Sequence, residues 1–335
     1  MEEVLVVDLG SQSIRFGLNT EGIAKVIYIH YSGIEVLNVF GQEKVITHKF
    51  NPIERGKVID WQRLQDLFEE AIEKIEEVTR FTKNERSSII VTHSMCKQTS
   101  FPFHMEQLLF EYFNFGKVVL CNRPLMCLIS SSKTSGCVIE SGAEVTQICC
   151  YHQCKVLEGT AMFLDIGGVD VTANFNKRFK TDLIDLDVVK KAYLLEVVID
   201  TNARGIVLDT KNYTLPDNTI LTIGPNRVLC GEVLFEGDSS ITKWLERSID
   251  NSILHDFKSN EIHLYGGTTQ LTGFFEKVRH YVSKCSTDKE WEVIPHDSEM
   301  PSFDGACMFS ALSLFQSHSV LSKSYEECGT FLFEI

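Results

Sequence analysis

No stretch of this chain is apolar for long enough to cross a bilayer, which takes about 20 residues. The N-terminal run MEEVLVVDLG opens acidic and passes straight into a strand, unlike a signal peptide. A soluble, intracellular protein with no membrane partner is the expectation. Positive charge is also scarce: 32 Lys plus Arg against 46 Asp plus Glu leave a formal charge of −14. A spread acidic surface does not attract a phosphate backbone, so direct nucleic-acid binding is not expected. CxxC pairs are missing, and the eleven cysteines are odd in number and irregular in spacing, which disfavours a disulfide framework or a zinc ribbon. The densest group, Cys149, Cys150, His152 and Cys154, falls on an apparent strand, where alternate side chains face opposite ways. Buried thiols in a reducing compartment are the simpler expectation. No low-complexity linker divides the chain, although 335 residues exceed what one core usually fills, so two domains joined by short ordered hinges are expected.

What the chain does have is one cassette used twice. Val7-Asp8-Leu9-Gly10-Ser11 and Ile139-Glu140-Ser141-Gly142-Ala143 each place a carboxylate at the end of a β-branched run, then a Gly/Ser turn, then a second strand. Small turn residues let backbone N–H groups converge on phosphate oxygens, and an adjacent carboxylate can hold the water shell of Mg²⁺. Two related halves facing a common cleft are implied.

Between the cassettes a βαβα rhythm predicts a sheet covered by helices. Asp60 offers an N-cap to a helix in which Leu64, Leu67, Phe68, Ala71, Ile72, Ile75 and Val78 recur at helical spacing, with a solvated Glu-rich face. SSIIVTH and KVVLC are expected strands, MEQLLFEYF and LMCLISS helices, and 31–51 is irregular and partly alternating. Further on, helices are predicted over 187–199 and 241–257, a hairpin turning at LPDN, and a strand, glycine turn and helix in EIHLYGGTTQLTGFFEKVRHYV, a frame for a nucleotide at the helix N-terminus. Asp165 and Asp170 beside Gly167 and Gly168 are expected to cap turns. His93, His104, His255 and His263 have no carboxylate at a meaningful spacing and are expected to be ordinary surface or core histidines.

In this order the segments DLGSQSIRFGL, NPIERGKVIDW, VIESGAEVT, FLDIGGVDVT, LPDNTILTIGPNRVLCGEVLF, LYGGTTQLTGFFEKV, FSALSLF and SYEECG resemble the actin family, within the actin, sugar kinase and heat-shock ATPase fold. The resemblance covers nearly the whole chain. It implies an α/β fold of duplicated actin-like, ribonuclease H-like domains with a nucleotide cleft between them: a small domain over 1–130 plus 301–335, with 19–51 as a reduced upper subdomain, and a large domain over 131–300. By position, it makes Asp8, Gly10, Ser11 and Gln12 the first phosphate loop, with Arg15 in place of a phosphate-contacting lysine and Asp8 holding Mg²⁺ through water. Ser141 and Gly142 belong to the second loop, and Gly168, Gly267, Thr268 and Gln270 to the adenosine side.

The departures fall at functional places. Glu140 and Ala143 replace family aspartates, Glu144 replaces a glycine, and Val189 and Lys190 stand where a lysine and a glutamate touch base and ribose. Arg123 occupies the position of a glutamine that orients the attacking water, so Glu140 and Arg123 are altered catalytic positions; the alternative is an internal arginine neutralising phosphate. Filament loops in 19–51 and 174–187 look trimmed, or are merely shortened surface. The resemblance therefore implies an actin-related scaffold subunit of a larger cytoskeletal or chromatin-associated complex, with weak or absent ATP hydrolysis, ATP/ADP with Mg²⁺ possible but doubtful, and no self-polymerisation. Its partners would be other protein subunits, actin or actin-related proteins among them, bound in a groove near Gly305 to Phe315, in the cytoplasm or the nucleus. The alternative is a slow ATPase that still joins or caps filaments; a sugar kinase or chaperone lacks its substrate-phosphorylating constellation.

Overall fold

Aliphatic and β-branched runs build two sheets on one plan. The structure, a computed structural model, describes residues 2–20, 27–30, 32–39, 42–49, 51–79, 81–95, 98–179, 210–214, 220–285 and 289–329. In the first sheet β1 (Val4–Leu9), β2 (Ser13–Leu18) and β3 (Ile27–His30) form an antiparallel meander. Strand β4 (Ser88–His93) then adds parallel to β1, and β5 (Lys117–Asn122) parallel to β4. The second sheet repeats the scheme. Strands β6 (Gly136–Ser141), β7 (Thr146–His152) and β8 (Met162–Leu164) are antiparallel, β9 (Glu261–Tyr265) runs parallel to β6, and β10 (Glu292–Pro295) parallel to β9. The chain is thus a duplicated α/β fold, divided into Met1–Thr134 with Met300–Ile335 and Ser135–Glu299.

In the first unit, helix α1 (Trp61–Val78) starts where the Asp60 carboxylate accepts the Arg63 N–H at 2.9 Å. Its stripe Leu64, Leu67, Phe68, Ala71, Ile72 and Ile75 is buried, and Phe68 meets Phe16 of β2 edge-on at 5.0 Å. Glu70, Glu73, Glu76 and Glu77 face water, as the pattern predicts. The helix expected over MEQLLFEYF begins earlier, as α2 (Phe101–Gln107), and continues into a wider π-type turn over Leu108–Tyr112. Helices α3 (Arg123–Ser130) and α7 (Pro301–Ser310) cross so closely at Gly305 that a Cβ there would lie 1.7 Å from the Met126 carbonyl oxygen.

The second unit carries α4 (Gly168–Phe179), α5 (Ile241–Ile253) and α6 (Phe274–Val282). Helix α5 stops four residues before the expected 257, with Asp256 at φ 52 in the turn that follows. Part of the irregular stretch 31–51 is in fact a regular hairpin, Ser32–Val39 against Gln42–Lys49. Lys211–Thr214 and Ile220–Ile223 pair as the predicted hairpin, whose LPDN turn lies outside the described residues. The helix expected over 187–199, Val189, Lys190 and most of 174–187 also lie outside them. Among the described residues no helix is long and apolar enough to cross a membrane, and no cluster of His, Cys, Asp and Glu could hold a metal. Cys149 and Cys150 are buried thiols in β7, whereas His152 is exposed.

Candidate functional site

The first cassette turns from β1 into β2 at Gly10, Ser11 and Gln12. The Gly10 N–H donates to Ser13 O at 3.1 Å, and the Asn51 side-chain amide donates to Ser11 O while its Oδ1 accepts the Ile53 N–H at 2.8 Å. Strand register does the rest. Arg15 lies opposite Asp8 across the antiparallel pair, and Thr92 lies beside it on the parallel one. Asp8 is fully buried; Arg15 Nη1 donates to its Oδ2 at 2.7 Å, and the Thr92 hydroxyl to its Oδ1 at 2.7 Å. Arg123, the first residue of α3, brings Nε within 3.2 Å of Oδ1. Burial opposes ionisation of Asp8, but the charges of Arg123 and Arg15 and the Thr92 hydrogen bond outweigh it and hold the carboxyl at about 2. One carboxylate therefore sits between two guanidinia.

His93 and Asn122 end β4 and β5 as register partners. The His93 Nδ1–H donates to Ser94 O at 2.8 Å, and the ring packs on Phe101 at 4.5 Å. Burial is the main cause that lowers its pKa to about 4; the Ser94 carbonyl opposes this and the Arg123 charge adds to it, so the imidazole is neutral. Its Nε2 and the Asn122 Oδ1 are buried and have no hydrogen-bond partner among the described residues. His93 is a buried core histidine, one residue after Thr92 on β4.

The second cassette has the same backbone with different chemistry. Gly142 N–H donates to Val145 O at 2.9 Å, as Gly10 does to Ser13. Opposite the buried Glu140, in the register position of Arg15, stands Gln147, whose Nε2 donates to Glu140 Oε2 at 2.6 Å. Ser141 Oγ meets Thr146 Oγ1 at 2.7 Å, and the Thr268 hydroxyl donates to Gly142 O at 2.7 Å. The N–H groups of Gly168 and Val169, which open α4, donate to Gly142 O and Ala143 O at 3.1 and 2.7 Å, and that of Asp170 to Gly167 O at 3.1 Å. Asp170 in turn accepts the Gly167 N–H at 2.8 Å, the turn cap expected of it. Ser141, Gly142, Gly168 and Thr268 are therefore brought together. Gln270 donates to His296 O at 2.8 Å. The constrained glycine is Gly266 rather than Gly267: it has φ 95, and a Cβ would lie 2.3 Å from Ser141 O, whereas one on Gly267 meets nothing within 4 Å.

These donors and acceptors do not fit Mg²⁺ at Asp8. Both carboxylate oxygens are engaged, and a hydrated Mg²⁺ would be set against two guanidinia, each unit-charge pair costing about 4 kcal/mol at 4 Å and an effective dielectric of 20. The first N–H groups of α4, which a phosphate would need, are bonded to the second loop. Thr92, Asn51, Thr146 and Gly266 are site residues that the motifs did not flag. For Thr92 the usable signal was its place near the C-terminal end of a parallel strand, where open α/β sheets put ligands.

Two sheets of one topology, each opening with a carboxylate and a glycine turn at the end of its first strand, define the duplicated class of fold that includes sugar kinases and heat-shock ATPases. The sequence model of the Actin family matches residues 1–205 and 187–334. The chain belongs to the actin family. It is 25% identical to Actin-like protein 7B of Mus musculus over 319 residues, covering 89% of this chain and 74% of that one. To Actin-related protein 7 of Oryza sativa subsp. indica it is 23% identical over 353 aligned positions, covering 98% and 97%. With Putative actin-29 of Dictyostelium discoideum it shares 27% over 252 residues, 67% and 65% of the two chains. At these distances it is a divergent actin-related protein.

Proposed function

We propose that this actin-related protein is a structural subunit of a larger protein assembly that neither hydrolyses ATP nor polymerises by itself. The pairing of Asp8 with Arg15 and Arg123 carries this reading. Actin-type turnover needs a metal-bearing carboxylate and a group that positions water; here the carboxylate is flanked by the guanidinia of Arg15 and Arg123. In the second loop Glu144 adds negative charge where phosphate would approach. Partners are other protein subunits. Of the segment 305–315, Gly305 and Phe315 are buried, so the contact would centre on Met308 and Leu312, which are 40% and 43% exposed. A cytoskeletal or a chromatin-associated assembly, in cytoplasm or nucleus, suits such a subunit.

Purified chain incubated with ATP and Mg²⁺ is expected to form no filaments and release no phosphate above buffer. Filaments, or hydrolysis abolished by Asp8→Ala, would overturn the reading. Met308→Glu with Leu312→Glu is expected to release the partners that co-purify with the wild type.

A further inference from the structure

We propose that Cys137 and Cys150 form an oxidation site in the second unit, which a small peroxide converts to a disulfide that staples β6 to β7. The two residues are register partners on these antiparallel strands, and both are fully buried in one core. Register decides whether they can join. Bonded and non-bonded pairs alternate along an antiparallel ladder, and the Gly142 N–H to Val145 O bond marks a bonded pair in this register. An odd number of positions along, 137 and 150 fall on a non-bonded pair. The backbone agrees: the Cys150 N–H donates to Thr160 Oγ1 at 3.2 Å and its carbonyl accepts the Leu157 N–H at 2.9 Å, so neither turns to β6. Residues of a non-bonded pair stand about 4.5 Å apart at Cα, inside the window of about 4.4–6.8 Å that a disulfide spans. Cys149, the next residue, faces the other side of the sheet.

Hydrogen bonds set the chemistry. The Cys137 thiol donates to Cys150, whose sulfur also meets Ser248 Oγ of α5 at 3.6 Å. The bond from Cys137, helped by Ser248 and Ser252, holds the Cys150 thiol below its ordinary value against burial, and the same bond with burial holds Cys137 above it. Cys150 is therefore the nucleophile. Its thiolate attacks one peroxide oxygen, the O–O bond breaks, and hydroxide leaves as water with the thiol proton. The Cys137 sulfur then attacks the sulfenic sulfur, the S–O bond breaks, and a second water leaves with the Cys137 proton. Two thiols are oxidised and one peroxide is reduced to two waters. Burial selects the oxidant, since hydrogen peroxide is close to water in size, whereas glutathione disulfide does not reach a sulfur on a residue 0% exposed. The ring so closed, 137–150, encloses the second cassette and restricts the unfolded chain.

Mass spectrometry of the full chain tests this, after exposure to hydrogen peroxide or to glutathione disulfide, alkylation in denaturant, and cleavage after Glu140 and Glu144 without reduction. Peroxide is expected to leave the fragments carrying Cys137 and Cys150 linked, two hydrogens lighter than the separate thiols, and glutathione disulfide to leave both thiols alkylated. The link is expected to persist in Cys149→Ser and to be lost in Cys150→Ser and in Cys137→Ser. It is also expected to raise the midpoint of thermal unfolding by about 5 °C, reversibly with dithiothreitol. A link from Cys137 to Cys149, or both thiols still alkylated once peroxide has oxidised the exposed Cys328, overturns the proposal. Glutathione on either sulfur overturns the choice of oxidant, and a midpoint that the link does not raise overturns the staple.

Discussion

The two cassettes share a backbone and differ in what holds their carboxylates. In each, a glycine N–H closes the turn onto the carbonyl three residues on, and a strand register sets a polar side chain opposite the acid. In the first, the opposite residue is Arg15, and Arg123 joins it; in the second, it is the neutral Gln147. The same fold element thus contains a charge cluster in one copy and an amide hydrogen bond in the other. Backbone geometry is shared by the two copies, whereas the groups facing their carboxylates differ.

Removing the acid should separate the copies most sharply. Asp8→Asn leaves two guanidinia facing a neutral group and is expected to cost about 3 kcal/mol or more, the usual penalty for breaking a buried ion pair. Glu140→Gln keeps an oxygen for the Gln147 amide and is expected to cost less than about 1 kcal/mol. Urea unfolding of the two variants at neutral pH measures the contrast; equal losses would erase it.

Acid should act on the first cassette in two adjoining steps. His93 has an ordinary value of 6.5 and about 4 in the fold, so between these the unfolded chain takes up a proton that the fold refuses, and stability falls as pH drops from 6.5 to 4. Asp8, lowered from 3.8 to about 2, contributes stability that is fully present above pH 3.8 and is lost as pH falls through 2. That contribution is about 2 kcal/mol at neutral pH. In a pH series of unfolding free energies His93→Phe should flatten the upper step and Asp8→Asn the lower. If neither changes, the charges around Asp8 do not have the effect described.

The smallest expected contrast lies in the turns. A Cβ on Gly10 would stand 2.7 Å from the Ser13 carbonyl oxygen, whereas one on Gly142 would meet Glu140 Oε1 at 3.5 Å and Val145 O at 3.7 Å, ordinary contacts. Gly10→Ala should therefore cost about 1 kcal/mol or more, and Gly142→Ala close to nothing, in thermal unfolding. A reversed order would show that the second loop is the tighter one.

Much of this organisation was legible in the sequence, because it is local. The cassettes are contiguous β-Gly-β strings, and α1 declares itself through one apolar stripe and an Asp60 cap. What pattern could not supply was register and reach. Arg15 faces Asp8 only because β1 and β2 pair antiparallel, and Arg123 arrives from a distant part of the chain through the parallel strands β4 and β5. Both arginines were singled out as departures, but their target, Asp8, depends on tertiary structure. Likewise the YGGTT run shows two adjacent glycines, and only the approach of Ser141 O tells which one the backbone requires.

Arg123 is paired with Asp8 as a counter-ion, its Nε 3.2 Å from Oδ1. A double-mutant cycle over Asp8→Asn and Arg123→Gln, read as unfolding free energy, tests it most directly. A coupling energy of about 2 kcal/mol or more is predicted, with the double variant less damaged than the sum of the single ones. Additive losses, within about 0.5 kcal/mol, would contradict it.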